Sequence, residues 1–350
     1  MTSNTIIQED LINIYNSKID WTLFRNTSIL ITGANGFLPA YLVEFFMYLN
    51  NKVPGINLTI YGLVRNEKKA KSRFSQYLKC KNFKLVVQDV CDKIKIKENI
   101  DYIFHAASQA SPKFYGLDPV GTLSPNIIGT INLLNFSKTK NVKSFLYFSS
   151  GEVYGDVKSN NIKESNFGYL DPTNIRSCYA ESKRMGENIC VSFHHQFGVN
   201  VKIARPFHTY GPGMALDDGR VFADFVNCII NKNDINLNSD GSSIRSFCYL
   251  SDATIGFIRI LLDGIAGQAY NIGNPKEETS ILNLAKTLTN LYSDFNLKIN
   301  LKSYNNSTGY IGSKVKKISP NINKIKKLGW SPKITLKQGF KRTIDSFLIN

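Results

Sequence analysis

Residues 28–38, SILITGANGFL, decide the fold. The run 28–32 is short and apolar, as a strand buried on both faces requires. Thr32 ends it, and a helix-type pattern starts at 37. Between them, Gly33 and Gly36 permit a tight turn and let the backbone approach a pyrophosphate at the helix N-terminus. Pro39 stands where a G-x-x-G-x-x-G spacing would carry its third glycine; proline is tolerated in a first helical turn.

Outward from this stretch the chain alternates. Apolar runs at 58–64, 84–87, 101–105, 143–149 and 199–204 read as further strands. The segments 37–49, 66–79, 122–140 and 178–197 read as helices between them. This β-α alternation predicts a doubly wound parallel α/β sheet covered on both faces. Residues 1–27 form a polar lead-in with an amphipathic stretch, Ile6 to Tyr15, and an apolar anchor, Trp21. After 205 the texture changes to loops rich in Gly, Asp and Pro, then a helix at 219–231, a strand at 268–273 and short helices in the tail. The expected division is 1–27 as an N-terminal extension, 28–205 as the nucleotide-binding domain, and 206–350 as mainly a smaller C-terminal domain, with 240–273 returning to the first.

Composition narrows the function classes. The apolar fraction of 43% over 350 residues suits a sizeable core. No run has the length of a membrane span, and the N-terminus shows no signal-peptide pattern, so a cytoplasmic protein is expected. Six cysteines lack C-x-x-C or metal-type spacing, which predicts reduced thiols and no metal site. The net charge of +16 comes from lysines spread along the chain with no recognisable nucleic-acid module, so nucleic acid is not expected as a partner. A positive field instead favours a small diphosphate substrate.

The strand ends carry the candidate chemistry. The stretch 145–156, FLYFSSGEVYGD, puts Ser149 and Ser150 at the end of a strand, and 177–183, SCYAESK, puts Tyr179 and Lys183 four residues apart on a helix. Tyr-x-x-x-Lys alone says little, since composition predicts roughly 1.6 such pairs by chance. The chain holds five: Tyr48/Lys52, Tyr77/Lys81, Tyr154/Lys158, Tyr179/Lys183 and Tyr310/Lys314. Only Tyr179/Lys183 opens a long helical segment. At the second strand end, YGLVRN lacks an acid for a ribose 2′-hydroxyl and offers Arg65, which either accommodates a 2′-phosphate or stacks on an adenine. Asp89 is placed either to accept from the adenine amino group or to cap a helix.

Taken together, TGANGF (32–37), DYIFHAAS (101–108), NIIGTINLL (126–134), SSGEVYGD (149–156), YAESK (179–183), ARPFHTYGPG (204–213), RSF..YLSDA (245–253) and YNIGNP (270–275) resemble the extended short-chain dehydrogenase/reductases that act on nucleotide sugars. Within them the chain is most similar to UDP-glucuronate decarboxylases. The resemblance implies a Rossmann domain, a small C-terminal substrate domain, and a homodimer through helices that include the Tyr-Lys helix. It implies tightly bound NAD or NADP and a nucleotide-diphosphate sugar as substrate. Tyr179 is then the general base, Lys183 its tuning partner, Ser150 the hydroxyl on the sugar oxygen and Glu152 the acid of the decarboxylases and dehydratases. Gly33, Asn35, Gly36, Phe37, Arg65, Asp89, Val90, Ala106, Ala107 and Ser108, with Tyr179 and Lys183, would hold the cofactor. Ser111, Ser150, His208, Arg220 and Arg245 would hold the substrate.

A nearby ammonium and an oxidised nicotinamide favour the phenolate, so Tyr179 is expected to accept the sugar hydroxyl proton as C4 is oxidised. Decarboxylation, epimerisation and dehydration share that first step. Gly151 stands where 4,6-dehydratases carry an aspartic acid, which ranks dehydration low. Ile318 and Lys317 stand around the position where decarboxylases carry an arginine, and His208 replaces an asparagine. The leading expectation is a decarboxylase-like or epimerase-like enzyme. A net 4-dehydrogenase or 4-keto reductase is the alternative. Intact Ser150, Tyr179 and Lys183 argue against a non-enzymatic nucleotide sensor.

Overall fold

A computed structural model describes residues 4–301 and 317–349. The chain runs α1 (Thr5–Tyr15), β1 (Ser28–Thr32), α2 (Phe37–Lys52), β2 (Thr59–Val64), α3 (Glu67–Arg73), β3 (Phe83–Val87), β4 (Tyr102–His105), α4 (Pro119–Ser124), α5 (Thr130–Lys140), β5 (Ser144–Phe148), α6 (Cys178–Phe197) and β6 (Val201–Pro206). It continues through β7 (His208–Tyr210), α7 (Val221–Ile230), β8 (Ile235–Leu237), β9 (Ile244–Tyr249), α8 (Leu250–Asp263), β10 (Ala269–Ile272), β11 (Glu278–Ser280), α9 (Ile281–Leu291), β12 (Ile299–Leu301), β13 (Lys317–Ile318), α10 (Asn323–Lys326) and α11 (Leu336–Leu348).

Among the described residues, seven parallel strands form the main sheet in the order β10-β6-β5-β4-β1-β2-β3. The order reverses direction at β1 and β4, and a crevice opens there beyond the strand C-termini. One face of the sheet packs α2 and α8 through Phe45, Phe46, Leu146, Phe257 and Ile260. The other packs α5 and α6 through Leu133, Leu134, Phe145, Tyr147 and Cys190. Strands buried on both faces explain the near-continuous apolar runs SILIT and SFLYF. A third apolar core joins α7, α9, α11 and the small sheet β11-β9-β13, to which β7 also pairs.

Local rules account for the helix ends. Asn141 and Gly198 end α5 and α6 in the left-handed conformation, and Thr335 and Gln338 form a capping box on α11. Pro125 interrupts the rod from Pro119 to Lys140: it has no N–H to donate, and the chain makes one wide π turn over Pro125–Gly129.

The structure differs from expectation in three places. The helix expected over 66–79 stops at Arg73, because Phe74 turns into the core and Tyr77 turns back to bond the Glu44 carboxylate. Within 240–273, β9 pairs in the small sheet, whereas α8 and β10 pack on and extend the main sheet. Residues 4–27 of the N-terminal extension brace the molecule, with Trp21 set against Phe45 at 4.8 Å between ring centroids.

The brace closes on one buried carboxylate. Asp10 of α1 is 0% exposed and accepts from Tyr41 of α2, Tyr249 of β9 and Arg342 of α11 at 2.6–2.8 Å. Burial pushes its pKa up and these three partners pull it back. Arg342→Met would leave the carboxylate buried without its cation. Urea denaturation should show a loss of about 3–5 kcal/mol, and a loss below 1 kcal/mol, roughly the worth of a surface pair, would contradict the assignment.

Candidate active site

The crevice is a cavity of about 1080 Å³ that runs from Gly33 and Arg65, past Tyr179, to Arg220. Its floor is the turn after β1. Gly33 has φ +62° and would place a Cβ 2.8 Å from the Ala107 Cα, so only glycine fits. Thr32 Oγ1 accepts the backbone N–H groups of Ala106 and Ala107, which holds the β4 end against that turn. Asn35, Gly36, Phe37, Arg65, Asp89, Val90, Ala106, Ala107 and Ser108 all line the same wall. The Ser108 hydroxyl is buried there without a hydrogen-bond partner among the described residues. A glycine cradle and an orphaned hydroxyl at a strand-to-helix turn fit the pyrophosphate and nicotinamide ends of a dinucleotide. Asp89 is no helix cap; its Oδ1 accepts Cys91 N–H at 2.8 Å.

The chemical centre lies where β5 meets α6. Lys183 is buried and donates to the Phe148 carbonyl at 2.6 Å. Its ammonium sits 5.1 Å from the Tyr147 ring centre and 5.7 Å from that of Tyr179. Burial pulls the Lys183 pKa down to about 7, against the raising effect of Glu187. Tyr179 is 6% exposed, and burial pushes its phenol up; the Ser150 hydroxyl and the Arg220 charge pull it down. Burial thus works against the phenolate at this position. Desolvation outweighs the Ser150 hydrogen bond and the Arg220 charge.

Four residues that the motifs did not single out build this centre. Tyr115 stacks parallel on Tyr179 at 5.1 Å, and the Arg176 guanidinium covers the Tyr115 ring at 4.7 Å. Arg176 also faces Glu152 at 3.6 Å. Beneath them, Glu187 and Arg205 form a buried bidentate pair, with N–O distances of 2.8 and 2.6 Å. Ser149 donates to the same carboxylate. Glu187 lies four residues after Lys183 on α6, a spacing legible in the sequence. Arg176 sits in a single 3-10 turn, Ile175–Ser177, and Tyr115 caps another, Pro112–Phe114; only the fold brings them to Tyr179.

Beyond Tyr179 the cavity is lined by Ser111, Ser150, Glu152, His208 and Arg220. Ser111 donates to the Asp218 carbonyl at 2.6 Å, and Arg220 pairs with Asp218 at 3.0 Å. His208 has a buried Nδ1 with no partner among the described residues. Burial and the charges of Arg245 and Arg220 pull its pKa down to about 3. Arg245 itself lies on β9 and does not line this cavity. Gly151 abuts Phe207, whose ring lies 3.3 Å from where a Cβ would sit, so an aspartate there would have to displace it. Lys317 is held by Glu278 at 2.6 Å, and the apolar Ile318 lines the wall. The other Tyr-x-x-x-Lys tyrosines, Tyr48, Tyr77 and Tyr154, do not line the cavity. Tyr310/Lys314 lies outside the described residues.

A glycine-floored crevice at the switch point of a doubly wound sheet, with serine, tyrosine and lysine converging beside it, defines a dinucleotide-dependent dehydrogenase-type protein. The model of the NAD dependent epimerase/dehydratase family matches residues 29–273. UDP-glucuronic acid decarboxylase 3 of Arabidopsis thaliana is 36% identical over 324 residues, 92% of this chain and 89% of that protein. UDP-glucuronic acid decarboxylase 1 of Danio rerio is 32% identical over 320 residues, 91% of this chain and 72% of that protein. Among solved structures, UDP-glucuronic acid 4-epimerase from Bacillus cereus, in complex with UDP-glucuronic acid and NAD, superposes with a TM-score of 0.78. It is 24% identical, and the match covers 92% of this chain and 99% of that one. UDP-glucose 4-epimerase from Thermotoga maritima reaches 0.79 at 23% identity over the same shares. The chain belongs to the NAD dependent epimerase/dehydratase family.

His105 gives the site a pH signature. Its ring is 1% exposed and bridges Thr32 and Thr130 at 2.9 and 3.0 Å. Burial and the Lys183 charge pull its pKa down to about 3. In the unfolded chain the imidazole takes up its proton near 6.5. Unfolding therefore binds a proton at every pH between the two values, and stability falls as pH drops from about 6.5 toward 3. His208 adds the same sign. Urea denaturation between about pH 6.5 and 5 should lose up to ~1.4 kcal/mol per pH unit for each ring, with a shallower slope in His105→Gln. An unchanged slope in that variant would contradict a neutral buried His105.

Proposed function

We propose that this chain oxidises a nucleotide-diphosphate sugar at C4, alters the resulting keto-sugar, and reduces it again with the same bound cofactor. The observation that carries this reading is the convergence of Ser150, Tyr179 and Lys183 on one cavity that Glu152 and Arg176 also line. The division of labour follows the cores: the main sheet holds the dinucleotide, and the segment from His208 to Arg220 lines the part of the cavity for the sugar nucleotide.

When bound, a nicotinamide dinucleotide supplies the hydride acceptor and a positive charge beside the phenol. Ser150 donates to the sugar oxygen at C4 and orients it. A cation beside the phenol on the Lys183 side would favour release of the Tyr179 proton to solvent, and the phenolate so formed would take the C4 hydroxyl proton as the hydride leaves C4. The Tyr115 ring, backed by Arg176, fixes the plane of Tyr179, so the phenol oxygen points to one place rather than several. Arg220 and His208 offer a cation and an unpartnered ring nitrogen to the diphosphate. Glu152, paired at 3.6 Å with Arg176, faces the far carbons of the sugar.

The relatives at 32–36% identity support UDP-glucuronate as substrate, with loss of its carboxyl group once C4 is a ketone. A ketone β to a carboxylate lets the electrons of the breaking C–C bond move into an enolate, and carbon dioxide leaves. A second reading, epimerisation at C4, is favoured by the apolar Ile318 in the wall and by the engagement of Lys317 with Glu278. Dehydration is disfavoured by Gly151 and the Phe207 ring against it.

Two further features complete the reading. Val120, Ile128 and Ile131 along the α4–α5 rod and Met185 and Val191 on α6 are exposed apolar residues, which supports a homodimer through these helices. The unpaired cysteines support work in a reducing compartment, the cytoplasm. Among the described residues no helix is long and apolar enough to cross a membrane.

Incubation with a panel of UDP-, GDP-, CDP- and dTDP-sugars, read by mass spectrometry, tests the function. Carbon dioxide loss from UDP-glucuronate without added cofactor is the expected result. A requirement for stoichiometric reductant would point to net reduction instead. Tyr179→Phe should lower turnover by roughly 10²–10⁴-fold while nucleotide binding persists; wild-type turnover would reject the assignment. Ile128→Lys with Met185→Glu should shift the protein from dimer to monomer in light scattering.

A further inference from the structure

The adenosine end of the dinucleotide site departs from the family description. β2 ends at Val64, and Arg65 and Asn66 follow it into the cavity, with Lys69 one turn further on. The ribose of NAD presents two hydroxyl groups that are commonly gripped there by a carboxylate acceptor. Guanidinium and ammonium groups have donors and no acceptor. The Asn66 Oδ1 is already engaged by the Lys69 backbone N–H at 2.9 Å, which leaves the Nδ2 donors for a ligand.

The acids of this corner are committed elsewhere or sit to one side. Glu67 is held by Lys71 at 2.6 Å. Asp118 accepts from Gln109 and from the Gly121 N–H. Asp89 receives Cys91 N–H on Oδ1, and its Oδ2 stands 3.8 Å from the Arg65 Nη1. That separation is beyond a hydrogen bond, so Asp89 orients the guanidinium without using up its donors. The corner therefore gathers donors from Arg65, Asn66 and Lys69 around an acceptor that the protein does not supply.

We propose that this corner is a 2′-phosphate site, and that the chain binds NADP in preference to NAD. A phosphate monoester is an acceptor-only dianion, and a guanidinium meets it through two parallel N–H donors. The excess of positive charge on the chain acts in the same sense. The inference rests on the dinucleotide site assigned above and adds which dinucleotide that site takes.

The test reads binding rather than turnover. The purified protein is denatured and the released dinucleotide identified by mass spectrometry. NADP and NAD are then titrated against wild type and Arg65→Asp, following the thermal midpoint or tryptophan fluorescence. NADP should be the released species and should bind roughly tenfold or more tightly. Arg65→Asp should reverse the order, and Lys69→Ala should narrow it. Release of NAD alone, equal affinities, or a preference that Arg65→Asp leaves unchanged would overturn the inference while leaving the dinucleotide reading intact. Binding of neither dinucleotide would overturn both.

Discussion

The buried pair between Glu187 and Arg205 is the constraint on which the site depends. Its bidentate geometry ties α6 to β6, Ser149 adds the end of β5, and Tyr154 links Arg205 to Asn271 of β10. Two charges taken from water are costly unless every donor and acceptor is met. Here the remaining Arg205 donors reach Tyr154 and the Glu164 carbonyl. The pair therefore stiffens the junction from which Ser150, Tyr179 and Lys183 project. It also places a negative charge one helical turn from Lys183, which offsets part of the desolvation that would otherwise neutralise the ammonium.

Burial acts on both titratable groups that the junction brings together. Burial holds Tyr179 as a phenol and pulls Lys183 toward neutrality. The same low dielectric that penalises an isolated phenolate strengthens its attraction to a cation at contact. Under the proposed function, a cation beside the phenol therefore favours the phenolate more strongly than it would in water.

The fold was largely legible in the chain because parallel strands buried on both faces leave apolar runs at regular spacing. SILIT, SFLYF and the 178–197 helix stand within a residue or so of their observed bounds. The failures have physical causes. The α8 helix, LSDATIGFIRILLD, follows β9 with no turn signal, and Asp252 is spent on the backbone of Lys333 and Ile334 rather than on a local cap. The short strands β7, β8 and β11 have three residues each, too few for periodicity to register. In the site, Tyr179, Lys183, Ser150 and the glycines were legible because they lie in contiguous motifs. Tyr115, Arg176 and Arg205 come from separate elements. Arg245, expected at the substrate, lies on β9 outside the cavity wall. The upward push of burial on the Tyr179 phenol was illegible as well, since desolvation is a property of the packed protein.

In the proposed function the first step belongs to α6 and β5, and the fate of the keto-sugar is assigned to the residues Glu152, Arg176, Phe207 and Ile318 that line the same cavity. The central claim is that oxidation and reduction at C4 are two halves of one turnover. It is tested most directly by incubating the enzyme, without added cofactor, with UDP-glucuronate carrying deuterium at C4 and locating the label by NMR. The account predicts product that retains the deuterium on C4. Turnover with loss of the label from C4, or conversion only when external cofactor is supplied, would contradict it.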